Sequence, residues 1–287
     1  AACCGLFGLK PSRGRVSFAP AGEGWAGASI PHAVTRSVRD SAVLLDATCA
    51  PQAGDPYFLA PPERPYAQEV GRDPGKLRIG FTDKALTLGA ALDPEVAEAV
   101  RDAARLCESL GHLVEPAELP GDHAAMQAAA RTILWASVAA SIDAECERRG
   151  RPLESATHGI YRRGKATSGP EYVRAVQVVH AYGRAAAQVF ERCDVFLLAT
   201  LGRPAIPLGH LFEDPKLTVE RLFGFMPNTQ AFNNSGQPAM TVPLAWSSGG
   251  LPIGIQFVAP MGDESTLFRL AGQLEATRPW FDRVPSL

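Results

Sequence analysis

The spacing of apolar side chains divides the chain into helices and strands. From Ser37 to Cys49 a helix is predicted, because Val38, Ala42, Leu45 and Cys49 share one face and Ser37 with Asp40 three residues later forms a capping box. Pro51 ends it. Leu77 to Thr82 reads as a short strand, and Asp93 with Pro94 then opens a helix whose Val96, Val100, Ala103, Cys107 and Leu110 face a core before Gly111 closes it. His112 to Val114 is the next strand, so this stretch is a βαβ unit with parallel strands. Residues 122–149 form a long Ala-rich helical stretch. Residues 170–192, opened by Pro170 and carrying Tyr172, Val176, Val179, Gly183 and Val189, form another. Strands are predicted at Asp194 to Thr200, Ala239 to Leu244 and Ile253 to Val258, with Gly249-Gly250 turning between the last two. Asp263 caps a final helix to Ala276 with Leu267, Leu270 and Leu274 at helical spacing. Six prolines between residues 50 and 75 point to an extended surface excursion. Helices interleaved with strands give the α/β class, read as a single domain over 1–287 with no internal repeat.

Composition narrows the partners. Lys plus Arg is 28 against Asp plus Glu 30, a net charge of -2, so no global field favours a polyanion and nucleic acid is not an expected partner. No apolar run approaches the roughly 20 residues that cross a bilayer, so no membrane span is expected. Cysteines at 3, 4, 49, 107, 146 and 193 are too few and too irregular for a disulfide framework, and a reducing cytoplasm is the expected home. Adjacent Cys3 and Cys4 are read as two small buried thiols. Residues 1–20 lack the apolar core of a signal peptide and carry Lys10, Arg13 and Arg15 instead. The chain has no initiator Met, and it is expected to start at a cut.

The six histidines never pair at the three- or four-residue spacing of a helical zinc site, and no phosphate loop, dinucleotide fingerprint or Gly-x-Ser-x-Gly elbow occurs. No metal and no cofactor is therefore expected. Arg148 to Lys165 holds six basic residues against Glu154 alone, which fits either a helix end followed by a solvated loop or a contact with an anionic ligand or RNA backbone. The segment Asn228 to Ser235 reads as a turn before a strand. It sets Phe232 among Asn228 and Asn233, as an amide-binding wall would, and ordinary turn chemistry fits it equally. Trp135, on the long helix, is either a core residue or a ligand contact.

Three separated motifs add a resemblance. Gly5-Leu6-Phe7-Gly8-Leu9-Lys10-Pro11-Ser12-Arg13-Gly14-Arg15, then Gly236-Gln237-Pro238-Ala239-Met240-Thr241-Val242-Pro243, then Gly250 to Val258 followed by Glu264, Leu267 and Pro279-Trp280, resemble the amidase signature family in order and spacing. His32 to Asp40 and Leu201-Gly202-Arg203-Pro204 are similar to its aminohexanoate cyclic-dimer hydrolase branch.

The resemblance implies a mixed β-sheet covered by helices and cleavage of a carbon–nitrogen amide bond by a serine nucleophile, a second serine in a cis peptide and a proton-moving lysine. Those groups lie in the family's N-terminal half, so that part of the fold is expected to be missing here. No catalytic residue is assigned, and the chain alone is expected to be inactive. Ser29-Ile30-Pro31 follows the glycine-rich run and lacks a preceding glycine pair, so it is no substitute for the nucleophile. Lys10 matches a framework position. The resemblance leaves substrate binding to Trp135, Asn228, Phe232 and Asn233. It implies as partners a small-molecule amide and the missing N-terminal half, and the strand edges and apolar surface that such a cut exposes point to a second copy in a homodimer. Two other functions stay open, a catalytically dead binding or regulatory subunit and part of a glutamine-dependent amidotransferase.

Overall fold

The computed structural model describes residues 1–87, 89–149, 153–214 and 217–284, with backbone alone at 144–149 and 155–156. Its seven described strands are β1 (Phe7–Lys10), β2 (Val34–Thr35), β3 (Arg78–Phe81), β4 (Leu113–Pro116), β5 (Val195–Ala199), β6 (Ala239–Trp246) and β7 (Pro252–Val258). They form one sheet in the order β2-β1-β6-β7-β5-β3-β4. β3 runs parallel to β4 and β5, and the other pairs are antiparallel. The helices are α1 (Val38–Thr48), α2 (Pro94–Ser109), α3 (His123–Arg149), α4 (Ser155–Ala166), α5 (Gly169–Ala187), α6 (Thr218–Phe225), α7 (Thr229–Ser235) and α8 (Glu264–Thr277).

Side chains alternate across the pleat, so each strand feeds two cores. On one face Leu9, Met240, Val242, Ile255, Phe257, Leu197 and Ile79 pack with Leu45, Val100, Phe268 and Leu270 of α1, α2 and α8. On the other, Phe196, Leu198, Ala239 and Val258 meet Met126, Tyr182, Ala186, Ala231 and Phe232 of α3, α5 and α7. Every residue of β5 is buried, as its unbroken Val-Phe-Leu-Leu run requires.

The predicted capping groups are in place. The Ser37 hydroxyl accepts from the Asp40 N–H at 3.1 Å, Asp93 from Glu95 at 2.9 Å and Asp263 from Thr266 at 3.1 Å. The βαβ strands pair in parallel, Arg78 opposite Leu113.

Five expectations change. The segment expected to be a turn, Asn228 to Ser235, is helix α7, ended by Gly236 at φ 90°. Asn and Ser are weak helix formers, and burial of Ala231 and Phe232 overrides that propensity. The expected loop after Arg149 contains α4, which packs on α3 where Gly164 lets the helices touch: a Cβ there would lie 2.0 Å from the Trp135 carbonyl oxygen. The α5 helix stops at Ala187 and continues as a tighter turn over Gln188–Glu191. The proline-rich excursion is anchored by Tyr66, fully buried on the turn Tyr66–Gln68. Cys3 and Cys4 are exposed, because the turn Ala2–Cys4 buries Ala2 instead. No described helix is long and apolar enough to cross a membrane.

Leu197→Ala should lower the unfolding free energy by about 2–5 kcal/mol, since Leu197 sits fully buried in β5 at the middle of the first core. Leu113→Ala on the exposed outer strand should change it by no more than about 0.5 kcal/mol. Urea denaturation measures both, and equal losses would contradict this layering.

Candidate functional site

Beside the apolar side chains of the second core, that face of the sheet carries a polar row over β1, β6 and β7. Pairing places Gly8 of β1, Thr241 of β6, Gln256 of β7 and Leu198 of β5 in one row across the strands. Beside that row lies Gly254, whose carbonyl accepts from the N–H of Thr200 at 3.1 Å. Both glycines are required by close approach. A Cβ on Gly8 would stand 2.7 Å from the Ala1 methyl, and one on Gly254 would stand 2.6 Å from the Ala2 methyl and 2.5 Å from Thr241 Oγ1. The methyls of Ala1 and Ala2 thereby pack onto the strands at these glycines, and Thr241 stays half-buried in mid-strand. Its hydroxyl meets that of Thr200 at 2.7 Å. Gln256 is 4% exposed, and its Nε2 has no hydrogen-bond partner. These polar residues lie beside the carboxyl end of β5, the edge at which open α/β sheets take their ligands.

Helix α7 spans the same face. Asn228, fully buried ahead of its first turn, donates from Nδ2 to the Ala199 carbonyl at 2.7 Å and accepts at Oδ1 from the Leu86 N–H at 2.9 Å. One amide thus ties the segment after β3 to the end of β5. Thr87 adds a bond to the Pro227 carbonyl at 2.8 Å. From Ala199 of β5 the helix runs to Gly236, just ahead of β6, so it crosses above β7, the strand between them.

Of the four residues expected to bind substrate, Asn228, Phe232 and Asn233 come together on this segment. Phe232 is buried among Met126, Tyr182, Leu198 and Val258. Asn233 is half-buried, and its side-chain amide has no hydrogen bond among the described residues, while its backbone carbonyl accepts from Arg13 Nη2 at 3.3 Å. Trp135 lies apart at the contact of α3 and α4, under the Arg163 guanidinium at 5.1 Å from the ring centre. Sequence reasoning missed Thr200, Thr241 and Gln256. The legible signal was a glycine and a glutamine alternating with Ile and Phe in the apolar run Ile253 to Val258.

A basic strap closes the far end of β1. Lys10 Nζ donates to the carbonyls of Gln237 at 2.7 Å and Pro11 at 2.9 Å, and burial pushes its pKa down to about 7 against the pull of Glu264. Its partners are acceptors only, so Lys10 holds backbone. Arg13 donates to the carbonyls of Gly27 at 2.7 Å and Asn234 at 2.6 Å. Arg15 pairs with the fully buried Glu264 at 3.1 Å, whose carboxylate also accepts from the Ser12 N–H at 2.8 Å and the Tyr66 hydroxyl at 3.3 Å. Burial works to raise the Glu264 carboxyl, but Arg15 and Ser12 outweigh it and hold it below its ordinary value.

In the basic run from Arg148 to Lys165, the side chains of 148 and 149 and all of 150–152 lie outside the described residues. Of the rest, Arg163 stacks on Trp135 and Lys165 pairs with Asp143 at 2.7 Å. Among the described residues no three His, Cys, Asp or Glu side chains converge as metal ligands.

The chain matches the family described as Amidase over residues 1–268. The 6-aminohexanoate-cyclic-dimer hydrolase of Paenarthrobacter ureafaciens is 35% identical over 306 residues, covering 100% of this chain and 62% of the relative. That of a Pseudomonas strain is 35% identical over 309 residues with the same coverage. A solved 6-aminohexanoate cyclic dimer hydrolase complexed with substrate superposes with a TM-score of 0.92 at 34% identity, covering 100% of this chain and 63% of that one. A bacterial aryl acylamidase superposes at 0.77 with 22% identity, a likeness of fold. The chain spans about 62% of the length of the curated relatives it matches.

The lowered pKa of Lys10 has a stability consequence with a definite sign. Between pH about 7 and 10.5 the unfolded chain holds a proton that the folded chain has lost, so stability rises with pH across that window, by at most about 1.4 kcal/mol per unit. Below pH 7 both states are protonated and the slope vanishes. Lys10→Met should remove the rise. Denaturation curves of the two proteins at pH 6, 8 and 9 measure it, and parallel pH profiles would contradict it.

Proposed function

The chain belongs to the amidase family, and from that membership we propose that it forms the substrate-facing part of an amide (carbon–nitrogen) hydrolase. In this reading the catalytic serine, second serine and lysine are not among its own residues. The observation that carries it is coverage: all of this chain aligns with a cyclic-dimer hydrolase at 35% identity, while only 62% of that relative is spanned. The missing partner is then the N-terminal half of the same protein, and the substrate is a small-molecule amide of the cyclic or linear aminohexanoate kind. No cofactor is called for, since a serine activated by a base attacks the carbonyl directly and N–H donors stabilise the oxyanion.

Within this reading Asn228 shapes the pocket by holding two loops, and Phe232 sets the height of α7 above the sheet. Asn233, with its free amide, and Trp135 are the members that can face a ligand. The outer strand β4 leaves backbone groups unpaired, which supports association as a homodimer. All cysteines with described side chains are free, in keeping with a reducing, cytoplasmic compartment.

Incubated alone with small aryl amides and an aminohexanoate dimer, the chain should show no turnover above a heat-treated control. Supplied with an N-terminal half that carries the catalytic groups, fused or separate, it should hydrolyse the amide. Asn233→Ala should then lower kcat/KM about tenfold, the cost of one transition-state contact of about 1.4 kcal/mol. Turnover by the chain alone that a fluorophosphonate abolishes would overturn the assignment of the nucleophile to the other half. Unchanged kinetics in Asn233→Ala would remove α7 from the pocket wall.

A further inference from the structure

We propose that the N-terminal half of the protein docks at the β2 edge of the sheet, adding a strand beside β2 and covering Val34 and the outer side of α1. The inference rests on the amidase reading and names the surface on which its missing partner sits.

The sheet ends at β2, which is two residues long. It pairs with β1 at Phe7–Thr35 and Gly8–Val34, while Leu9 and Lys10 continue against β6 with no strand on their other side. In an antiparallel pair alternate residues direct their backbone groups at the neighbour, so one of these two sends its N–H and C=O outward. Apolar side chains surround that edge. Val34 is 53% exposed, opposite a glycine that has no side chain to cover it. Helix α1 starts three residues on and packs Val38, Ala42 and Leu45 into the first core. At about 100° per residue, Val43, Leu44 and Ala47 fall on its other side, where all three are exposed. A helix between a core and water has a polar outer face, and one that is apolar on both sides is a helix covered on both.

The surface is already formed. His32 Nε2 meets the Ser41 hydroxyl at 2.9 Å, which ties the segment ahead of β2 to α1, and Glu275 of α8 accepts from the Val38 N–H at 3.0 Å. Phe281 extends the patch, half-exposed beneath the Arg36 guanidinium at 4.2 Å from its ring centre. The occupant follows from coverage and from the position of Ala1. The chain spans 62% of a cyclic-dimer hydrolase, and in the amidase reading the remainder joins ahead of Ala1. A Cβ on Gly8 would stand 2.7 Å from the Ala1 methyl, and Gly8 is the residue paired with Val34. Paired residues turn their side chains to the same face, so a segment entering at Ala1 arrives on the face where Val34 stands uncovered. The open backbone edge, the apolar patch and the point of entry coincide. A second copy has the opposite edge, β4, open to it.

The test expresses the N-terminal half of the same protein as a separate chain, titrates it into this one by calorimetry and maps the contact by hydrogen exchange. Amides of residues 33–36 should become protected on association. Val34→Glu and the double variant Val43→Asp with Leu44→Glu should bind the half at least about tenfold more weakly. Leu113→Glu on β4 should bind it unchanged. All four positions are exposed, circular dichroism checks that each variant folds, and protection in the unsubstituted chain stands whether or not a variant does. No association, protection that leaves residues 33–36 untouched, or equal affinity in the folded variants would overturn the proposal. Self-association of this chain that the same substitutions abolish would hand the surface to a second copy and overturn it too. Association is read without turnover: halves that bind through this surface and hydrolyse no amide would sink the amidase reading and uphold the docking site. Hydrolysis by an assembly whose affinity the α1 variants leave unaltered would sink this proposal alone.

Discussion

A single buried carboxylate organises the end of the molecule on which the site depends. Glu264 has no exposure, and an isolated charge there would be prohibitive, so the chain must bring it a cation and donors. Arg15, the Ser12 N–H and the Tyr66 hydroxyl do so from segments separated by up to 252 residues. That convergence fixes the strap after β1 against α8 and seats the rings of Phe7 and Tyr66 on Phe268, at 6.5 and 5.5 Å. With the strap held, Arg13 reaches the carbonyls of Asn233 and Asn234, where a helix end carries partial negative charge, and Lys10 reaches Gln237. The position of α7 is therefore set at its carboxyl end by the same strap that Glu264 anchors.

The other end of α7 is set by one side chain that both donates and accepts. Asn228 donates to Ala199 and accepts from Leu86, a pair of duties that neither an ionised aspartate nor a leucine can perform. Held at both ends, α7 roofs the second face over β7. Next to it Gly8 and Gly254 admit the methyls of Ala1 and Ala2 onto the strands.

Periodicity along the chain exposed α1, α2, α8 and the βαβ unit, because in each the burying face repeats at helical or strand spacing and a capping residue marks the start. It failed where structure is imposed from a distance. Phe7-Gly8-Leu9-Lys10 alternates correctly but is too short and glycine-bearing to read as a strand without β6 beside it. Thr229 to Ser235 has turn-like composition and becomes helical through the burial of Ala231 and Phe232. Cys3 and Cys4 resemble core thiols in type, but their turn spends its buried position on Ala2. The family resemblance depended on none of this, since its motifs are contiguous. They fall on the strap, on the start of β6, on β7 and on α8, the segments joined by Glu264 and the central strands.

The site was the least legible part for a topological reason. Thr200 and Thr241 are neighbours only because β7 lies between β5 and β6, and the partner that makes a threonine functional or merely structural is 41 residues away in sequence. The four residues inferred from the sequence offer either a side-chain amide or an aromatic ring, and that property does not separate roles. In the fold it divides them. Asn228 has spent both ends of its amide on backbone and Phe232 has spent its surface on the core, so neither retains a group to offer. Asn233 keeps its side-chain amide without a hydrogen bond among the described residues, so it still has donors and an acceptor to offer.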